Sequence, residues 1–220
     1  MNRNKFLSMM GLNLMGAFFF SAKRRQYLIQ KTDCNNPITP AVPEGPYYKD
    51  EHLNRVDITE GKKGITIDYI FKVEDKNCHP IKDAVVDIWQ CDAEGHYSDF
   101  KQENTYNQTW LRGYQKTDTN GECRFTSIFP GWYPNRLTHL HAKVHTNDKN
   151  VLTTNLFFKK DIENEIYKSP FYSKGPNPLS ILDDYELSVD KNTVRHDTLV
   201  MTVAKDGNGN LIASYTIAII

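Results

Sequence analysis

From about residue 64 onward the sequence consists mostly of short runs rich in β-branched and aromatic residues, separated by turn-like stretches. The runs are GITIDYIFKV (64–73), DAVVDIWQC (83–91), GYQKTDTNGECRFTSIF (113–129), LTHLHAKVH (137–145), VLTTNLFF (151–158) and TLVMTVAKDGNGNLIASYTIAI (198–219). This composition predicts strands, with hairpin turns at Thr-Asn-Gly in the third run and at Asp-Gly-Asn-Gly in the last. Only IENEIY (162–167) and PLSILDDYEL (178–187) have the pattern of short helices. Strands without alternating helices predict an all-β fold, a β-sandwich or a barrel-like core.

The N-terminal region differs in composition. Residues 1–22 begin with the basic MNRNK and continue with FLSMMGLNLMGAFFF, an apolar run of 15 residues. This pattern is typical of an export signal or an uncleaved anchor, and it is short for a bilayer span of about 20 residues. A start codon assigned too early is the competing interpretation. Residues 23–64 contain NNPITPAVPEGP and predict an extended arm and lead-in to a β-sandwich domain over 65–220. We expect an exported protein, periplasmic or membrane-tethered, with the cytoplasm as the alternative.

Charge and cysteine content restrict the classes of function. The chain has 27 basic and 27 acidic residues, so its net charge gives no reason to expect a nucleic acid as partner. Its four cysteines are spaced neither as CxxC pairs nor as a zinc finger. They are Cys34, Cys78, Cys91 and Cys123. Disulfides are permitted but not implied, and Cys91 and Cys123 could either pair or remain free buried thiols.

Two histidines one residue apart, His139 and His141, lie on the same face of the predicted strand, because alternate side chains of a strand point the same way. An isolated His-x-His is more often one core and one hydrogen-bonded histidine than a metal site. Zinc would need further His, Cys or carboxylate ligands, and a ferrous facial triad would need a nearby carboxylate that the following residues do not supply. Tyr133 could serve as an anionic ligand if a strong cation such as ferric iron promotes its ionisation. A second oxygen ligand should then be present.

Four motifs in order resemble those of the intradiol ring-cleavage dioxygenases, the family of catechol 1,2-dioxygenase and protocatechuate 3,4-dioxygenase. The motifs are Gly95-His-Tyr97-Ser98, Asp118-Thr-Asn-Gly121, Pro130-Gly-Trp-Tyr133 and Arg136-x-x-His139-x-His141. The resemblance runs from about Thr39 to Phe158, over half of the chain. It implies a non-haem Fe(III) centre whose ligands are Tyr97, Tyr133, His139 and His141. No counterpart of the long helical N-terminal segment of catechol 1,2-dioxygenases is evident, so we expect a compact, exported type of member, with 65–220 as the catalytic β-sandwich, a transthyretin/prealbumin-like core and an extended N-terminal arm.

The resemblance also implies a reaction. A catechol-type aromatic diol would be cleaved with O2 between its two hydroxylated carbons, giving a cis,cis-muconate-type dicarboxylate without an organic cofactor. Tyr133 is expected to leave the metal and take up a proton, and Arg136 to stabilise negative charge on the ring. The expected substrate-pocket residues are Tyr47, Tyr48, Trp132 and Asn155. Asn155 stands where many relatives have Gln, one methylene longer.

Two alternatives to this function stay open. One is a zinc or ferrous enzyme that uses the same His-x-His pair. The other is a transthyretin-like extracellular β-sandwich that binds a partner without catalysis. For the dioxygenase, the expected partners are a small aromatic diol and O2, without nucleic acid, and a membrane tether through the N-terminus and a homo-oligomer are left open.

Overall fold

Two four-stranded sheets form the framework of the computed structural model, which describes residues 36–147, 149–181, 183–188 and 196–220. In chain order the strands are β1 (Thr66–Asp75), β2 (Val85–Trp89), β3 (Arg112–Lys116), β4 (Glu122–Ile128), β5 (His139–Thr146), β6 (Lys149–Phe157), β7 (Thr202–Lys205) and β8 (Leu211–Ile219). One sheet has the order β4-β1-β8-β7 and the other β3-β2-β5-β6. All neighbours are antiparallel except β1 and β8, which pair in parallel. The predicted all-β, sandwich-like fold is confirmed.

The alternation of side chains along β1 explains why this segment is a half-buried strand. Ile67, Tyr69, Phe71 and Val73 are all fully buried in the hydrophobic core. The residues between them are more exposed, as the period of two of a strand requires. Burying one such face on each sheet provides the main driving force for the sandwich.

Strand β5 is buried on both faces. Leu140, Ala142 and Val144 are fully buried and belong to the hydrophobic core. His139 and His141 point the opposite way, yet they are only 2% and 1% exposed. Chain segments outside the sheets therefore cover the second face of β5, and this cover creates an enclosed polar site.

The helices are short. Helix α1 (Lys160–Ile166) includes most of the predicted helix at 162–167, and α2 (Tyr185–Ser188) occupies only the end of the second predicted helix. Asp184 explains the late start of α2, because its Oδ1 accepts hydrogen bonds from the backbone N–H groups of Glu186 and Leu187. This is the geometry of an N-cap, which fixes the first turn after the capping residue. Two 3-10 turns, Lys101–Glu103 and His196–Leu199, complete the regular structure among the described residues.

The segment before β1 runs across both sheets. The Thr39 N–H donates to the Ala218 carbonyl oxygen on β8, and the Val42 N–H donates to the Thr153 carbonyl oxygen on β6, both at 2.9 Å. The described residues lie within one compact unit, Cys34–Ile220. The predicted signal-like segment at 1–22, like the arm up to residue 35, lies outside the described residues. Within the described part of the chain, no helix is long and apolar enough to span a bilayer.

The three cysteines that the structure describes are in two states. Cys91 and Cys123 are buried and free, whereas Cys78 is disulfide-bonded. Burial raises the pKa of Cys123 to about 12, so this thiol stays protonated and unreactive at neutral pH.

Candidate metal and active site

Two phenol oxygens and two imidazole nitrogens converge at one point on the outer face of the β3-β2-β5-β6 sheet. The Nε2 atoms of His139 and His141 are 3.0 Å apart. The Tyr97 hydroxyl lies 3.1 Å from His141 Nε2, and the Tyr133 hydroxyl lies 3.2 Å from His139 Nε2. The four predicted ligands, which come from two loops and one strand, are therefore brought together with their donor atoms facing one another.

The loop that carries Tyr97 and the loop that carries Tyr133 pack closely against each other, and each contributes one glycine to the contact. Gly95, two residues before Tyr97, has φ +85°, and a Cβ there would lie 2.4 Å from the Trp132 carbonyl oxygen. In return, a Cβ on Gly131 would lie 2.4 Å from the Ala93 carbonyl oxygen. The backbones can approach this closely only because neither glycine has a side chain. The glycines thus determine how near the two phenols can lie.

The histidine rings are oriented by their Nδ1 atoms. His139 Nδ1 donates to the Leu137 carbonyl oxygen at 2.5 Å, which leaves a lone pair on Nε2 facing the other donors. His141 Nδ1 is 2.7 Å from the Asn155 amide. All hydrogen bonds of that amide are satisfied when its nitrogen donates to His141 Nδ1 and its Oδ1 accepts from Arg136 Nη2, also at 2.7 Å. A neutral His141 then carries its proton on Nε2. Ligation of a metal through Nε2 would place that proton on Nδ1 and turn the Asn155 oxygen toward it.

Burial keeps all four groups neutral in the absence of a cation. It raises the pKa of Tyr97 and Tyr133 above the usual value of a phenol, with Tyr133 adding to the effect on Tyr97. It lowers the pKa of His139 and His141 well below the usual value of an imidazole, and the nearby Arg136 charge lowers both further. Neutral imidazoles are the form that binds a metal, whereas the phenols need a strong cation to ionise.

The donor set fits a hard, highly charged metal ion. Ligands about 2.1 Å from one ion and about 90–110° apart are separated from each other by about 3.0–3.4 Å. The measured separations of 3.0, 3.1 and 3.2 Å agree with such an arrangement. Phenolate and imidazole ligands suit ferric iron, because two ionised phenols would partly neutralise its charge inside a buried site.

Arg136 lies beside this site, and hydrogen bonds to Asp184 and Asn177 hold it in place. Its side chain is 8% exposed, and its Nε donates to the two carboxylate oxygens of Asp184 at 3.2 and 3.0 Å. The Arg136 carbonyl oxygen accepts from Asn177 Nδ2 at 2.9 Å. The guanidinium thus supplies a fixed positive charge, which is felt by the imidazoles of His139 and His141.

Comparison with known proteins identifies the family to which this combination of fold and site belongs. The model of a protein family described as "Dioxygenase" matches residues 40–174, a stretch that includes all four donors and Arg136.

The chain belongs to the intradiol ring-cleavage dioxygenase family. An intradiol ring-cleavage dioxygenase from Tetranychus urticae has a similar structure, with a TM-score of 0.75 and 29% identity over 83% of this chain and 94% of that one. Hydroxyquinol 1,2-dioxygenase from Corynebacterium glutamicum is 28% identical over 155 residues, which cover 60% of this chain and 50% of that protein. 3-Chlorocatechol 1,2-dioxygenase from Rhodococcus opacus shares the fold, with a TM-score of 0.62 and 21% identity over 85% of this chain and 74% of that one. The chain spans about half the length of the curated relatives it matches.

The predicted pocket residues of this intradiol dioxygenase family member lie in different places. The ring of Tyr47 stacks on that of Tyr97 with centroids 4.1 Å apart and meets the Tyr133 ring edge to face at 5.8 Å, so it packs against both phenols. Tyr48 instead donates to Asp87 Oδ2 at 3.1 Å. Trp132 donates through Nε1 to the Gly175 carbonyl oxygen at 2.9 Å. Asn155 is fully buried behind His141. Lining of a substrate pocket by these residues stays a prediction.

Three residues around the site were not foreseen from the sequence. Trp89 stacks face to face on the His141 ring, with centroids 4.7 Å apart. Arg112, 2% exposed, donates to Ser98 and to the Tyr47 carbonyl oxygen, and its guanidinium lies 6.0 Å from the Tyr97 ring centroid. Glu103 accepts a hydrogen bond from the backbone N–H of Tyr97. Trp89 was partly accessible to sequence reasoning, since it lies within a predicted strand, but nothing in the sequence linked any of the three to the ligands.

Proposed function

We propose that this protein is a non-haem Fe(III) intradiol dioxygenase, which cleaves a catechol-type aromatic diol with O2 to a cis,cis-muconate-type dicarboxylate. The observation that carries the proposal is the convergence of two imidazoles, whose Nε2 atoms are 3.0 Å apart, with two phenols, each of which lies 3.1 or 3.2 Å from one of those nitrogens. A binding module has no need for such a set. Membership in the family supports the same reaction.

Tyr97, Tyr133, His139 and His141 would hold the iron. Bound ferric iron would supply a Lewis acid that withdraws charge from the diol and makes its ring reactive toward O2. The reaction balances without a reductant, because both oxygen atoms enter the product while one carbon–carbon bond is broken.

The surrounding residues contribute charge and proton transfer. Arg136 provides a fixed cation beside the donors, which suits stabilisation of negative charge that develops on a ring in a dry site. Tyr133 is more exposed than the fully buried Tyr97, so its hydroxyl is the better placed of the two to exchange a proton with a bound diol. Burial raises the pKa of Tyr133, so this oxygen holds a proton firmly once it is released from a cation.

The test uses the iron-loaded protein and a substrate panel. Oxygen uptake is measured with catechol, hydroxyquinol, chlorocatechol and protocatechuate, and iron content and visible absorption are recorded in parallel. We expect a red-brown protein, since phenolate bound to ferric iron absorbs visible light by charge transfer, and uptake of one O2 per diol. Tyr97→Phe should lose the colour and most of the iron. Tyr106→Phe, at a tyrosine that is 54% exposed, is the matched control and should behave like the wild type.

Three results would contradict the proposal. Stoichiometric zinc without colour would favour the zinc alternative. A protein that binds no metal and takes up no O2 would favour the binding module. Unchanged iron content in Tyr97→Phe would remove Tyr97 from the ligand set.

The remaining expectations are kept as proposals. A transthyretin/prealbumin-like core and an extended N-terminal arm agree with the two sheets and with the course of residues 36–64. Export, either to the periplasm or with a membrane tether, rests on the composition of residues 1–22 alone. Fractionation of expressing cells tests the location, and light scattering tests for a homo-oligomer.

A further inference from the structure

Asp184 is a buried carboxylate in the part of the chain after Lys160, to which sequence reasoning assigned no role in the chemistry. Its side chain is fully buried, and it accepts from Arg136 Nε at 3.0 Å and from the Leu137 backbone N–H at 2.7 Å. We propose that Asp184 is the positioning residue of the candidate site, which sets both the place of the Arg136 cation and the orientation of His139. This inference rests on the proposed function.

The first effect is on Arg136. Among the described residues, Asp184 is the one carboxylate paired with this guanidinium, and it binds at Nε rather than at the two terminal nitrogens. Nη2 is therefore free to point toward Asn155, at 2.7 Å. If a metal bound to His141 turned the Asn155 amide over, Nη2 would lose that acceptor. Asp184 then remains as the anionic group that fixes the cation, whichever way the amide faces.

The second effect is on His139. The Leu137 N–H donates to Asp184, and the Leu137 carbonyl oxygen accepts from His139 Nδ1 at 2.5 Å. Leu137 is thus held through its N–H by the Asp184 carboxylate, and its carbonyl oxygen in turn orients the His139 imidazole. Partners of this kind set the tautomer and ring direction of a ligand histidine, and their loss typically weakens metal affinity about 10–100-fold.

Helix α2 in turn holds the carboxylate in place. Asp184 Oδ1 accepts from the backbone N–H groups of Glu186 and Leu187 at 3.1 and 3.2 Å. With Arg136 and Leu137 on the other side, the carboxylate faces only donors. Asparagine cannot satisfy this environment, because its amide nitrogen would face N–H groups. Asp184→Asn is therefore a nearly isosteric change that should release the contacts in question.

The experiment compares the wild type, Asp184→Asn, Arg136→Gln and the double variant, all loaded with iron. Iron affinity is measured by competition with a chelator, a readout that needs no turnover, and kcat and KM are measured by oxygen uptake. The control is Asp183→Asn, since Asp183 is an exposed neighbour that accepts from Ser180. We expect Asp184→Asn to lower iron affinity about tenfold or more. It should also reduce kcat more than it raises KM, while the control stays at wild-type values. The double variant should lose less kcat than the product of the two single losses, because part of the effect of Asp184 on turnover passes through that arginine.

Two outcomes would overturn the inference. One is wild-type iron affinity and kcat in Asp184→Asn with only a lower denaturation midpoint, which would make the residue merely structural. The other is a double variant whose kcat loss is the product of the two single losses. If Asp184→Asn does not fold, Asp184→Glu keeps the charge but moves it by one methylene, and wild-type kcat in that variant would equally overturn the inference. If the wild type takes up no O2, the proposed function fails, and the iron affinities alone then decide the role of Asp184.

Discussion

Replacing Gly95 by alanine should separate the two tyrosine loops. Gly95 has φ +85°, and the added Cβ would lie 2.4 Å from the Trp132 carbonyl oxygen, whereas Cβ atoms essentially never approach another heavy atom closer than 3.0 Å. The loops must therefore move apart by about 0.6 Å or more. Metal–ligand distances normally fall within about 0.2 Å of their usual values, so a shift of this size should weaken the binding of an ion shared by Tyr97, Tyr133 and the histidines.

Gly209 provides a closely matched control. Its φ is +86°, the same as that of Gly95 within a degree, but a Cβ there would meet nothing within 4 Å. Gly209→Ala should cost about 1–2 kcal/mol of unfolding free energy, the usual price of left-handed backbone for an L-residue. Gly95→Ala should cost that amount plus about 1–3 kcal/mol for the overlap. The difference between the two variants isolates the contact between the loops.

Urea denaturation and iron titration together measure the outcome. We expect Gly95→Ala to lose more unfolding free energy than Gly209→Ala and to lose the visible charge-transfer band, which Gly209→Ala should retain. Equal destabilisation of the two variants, with full iron colour in both, would refute the argument that the glycines set the distance between the phenols.

Two further predictions concern buried charge. Burial raises the pKa of Glu163 to about 7, so the folded protein binds the carboxyl proton of Glu163 more tightly than the unfolded chain does. The free energy of unfolding that this proton contributes is lost as the pH rises from about 4.5 to about 7. Glu163→Gln should therefore show a smaller decline in unfolding free energy between pH 4.5 and 8 than the wild type, by up to about 3 kcal/mol; identical pH profiles would contradict this assignment. Arg112→Gln should lose the hydrogen bonds to Ser98 and to the Tyr47 carbonyl oxygen. This loss should lower the unfolding free energy by about 1–3 kcal/mol and speed amide exchange around residues 44–50. Exchange at the wild-type rate in that segment would show that Arg112 does not hold it.

The sequence predicted most of the strands because their burial follows a local rule. In β1, buried residues alternate with more exposed ones, namely Ile67, Tyr69, Phe71 and Val73 with the residues between them. This period of two can be recognised from the sequence alone. The same period of two predicted that the side chains of His139 and His141 lie on one face of a strand. The second predicted helix was too long, since its extent depends on where Asp184 caps α2.

The remainder of the site depends on contacts between segments distant in sequence. Tyr97 and Tyr133 were linked to the histidines by motif resemblance, not by any local pattern. Arg112 is an arginine at the start of a short strand, and Asp184 is a carboxylate before one turn of helix. Such residues are usually solvated, so their burial against Tyr97 and Arg136 follows only from the folded arrangement.

The parallel pairing of β1 with β8 has a consequence for the order of folding. Residues 67–75 find their partners at 211–219, so one side of β1 has no native neighbour until that late segment has been synthesised. Contacts this distant along the chain are slow to form, and a strand edge left open in the meantime is prone to pair with another nascent chain. We expect β4 to occupy the other side of β1 early, because residues 122–128 lie much closer to β1 in the sequence than residues 211–219 do. Yield during expression should then respond to temperature and chaperone supply more strongly than the stability of the finished protein would suggest.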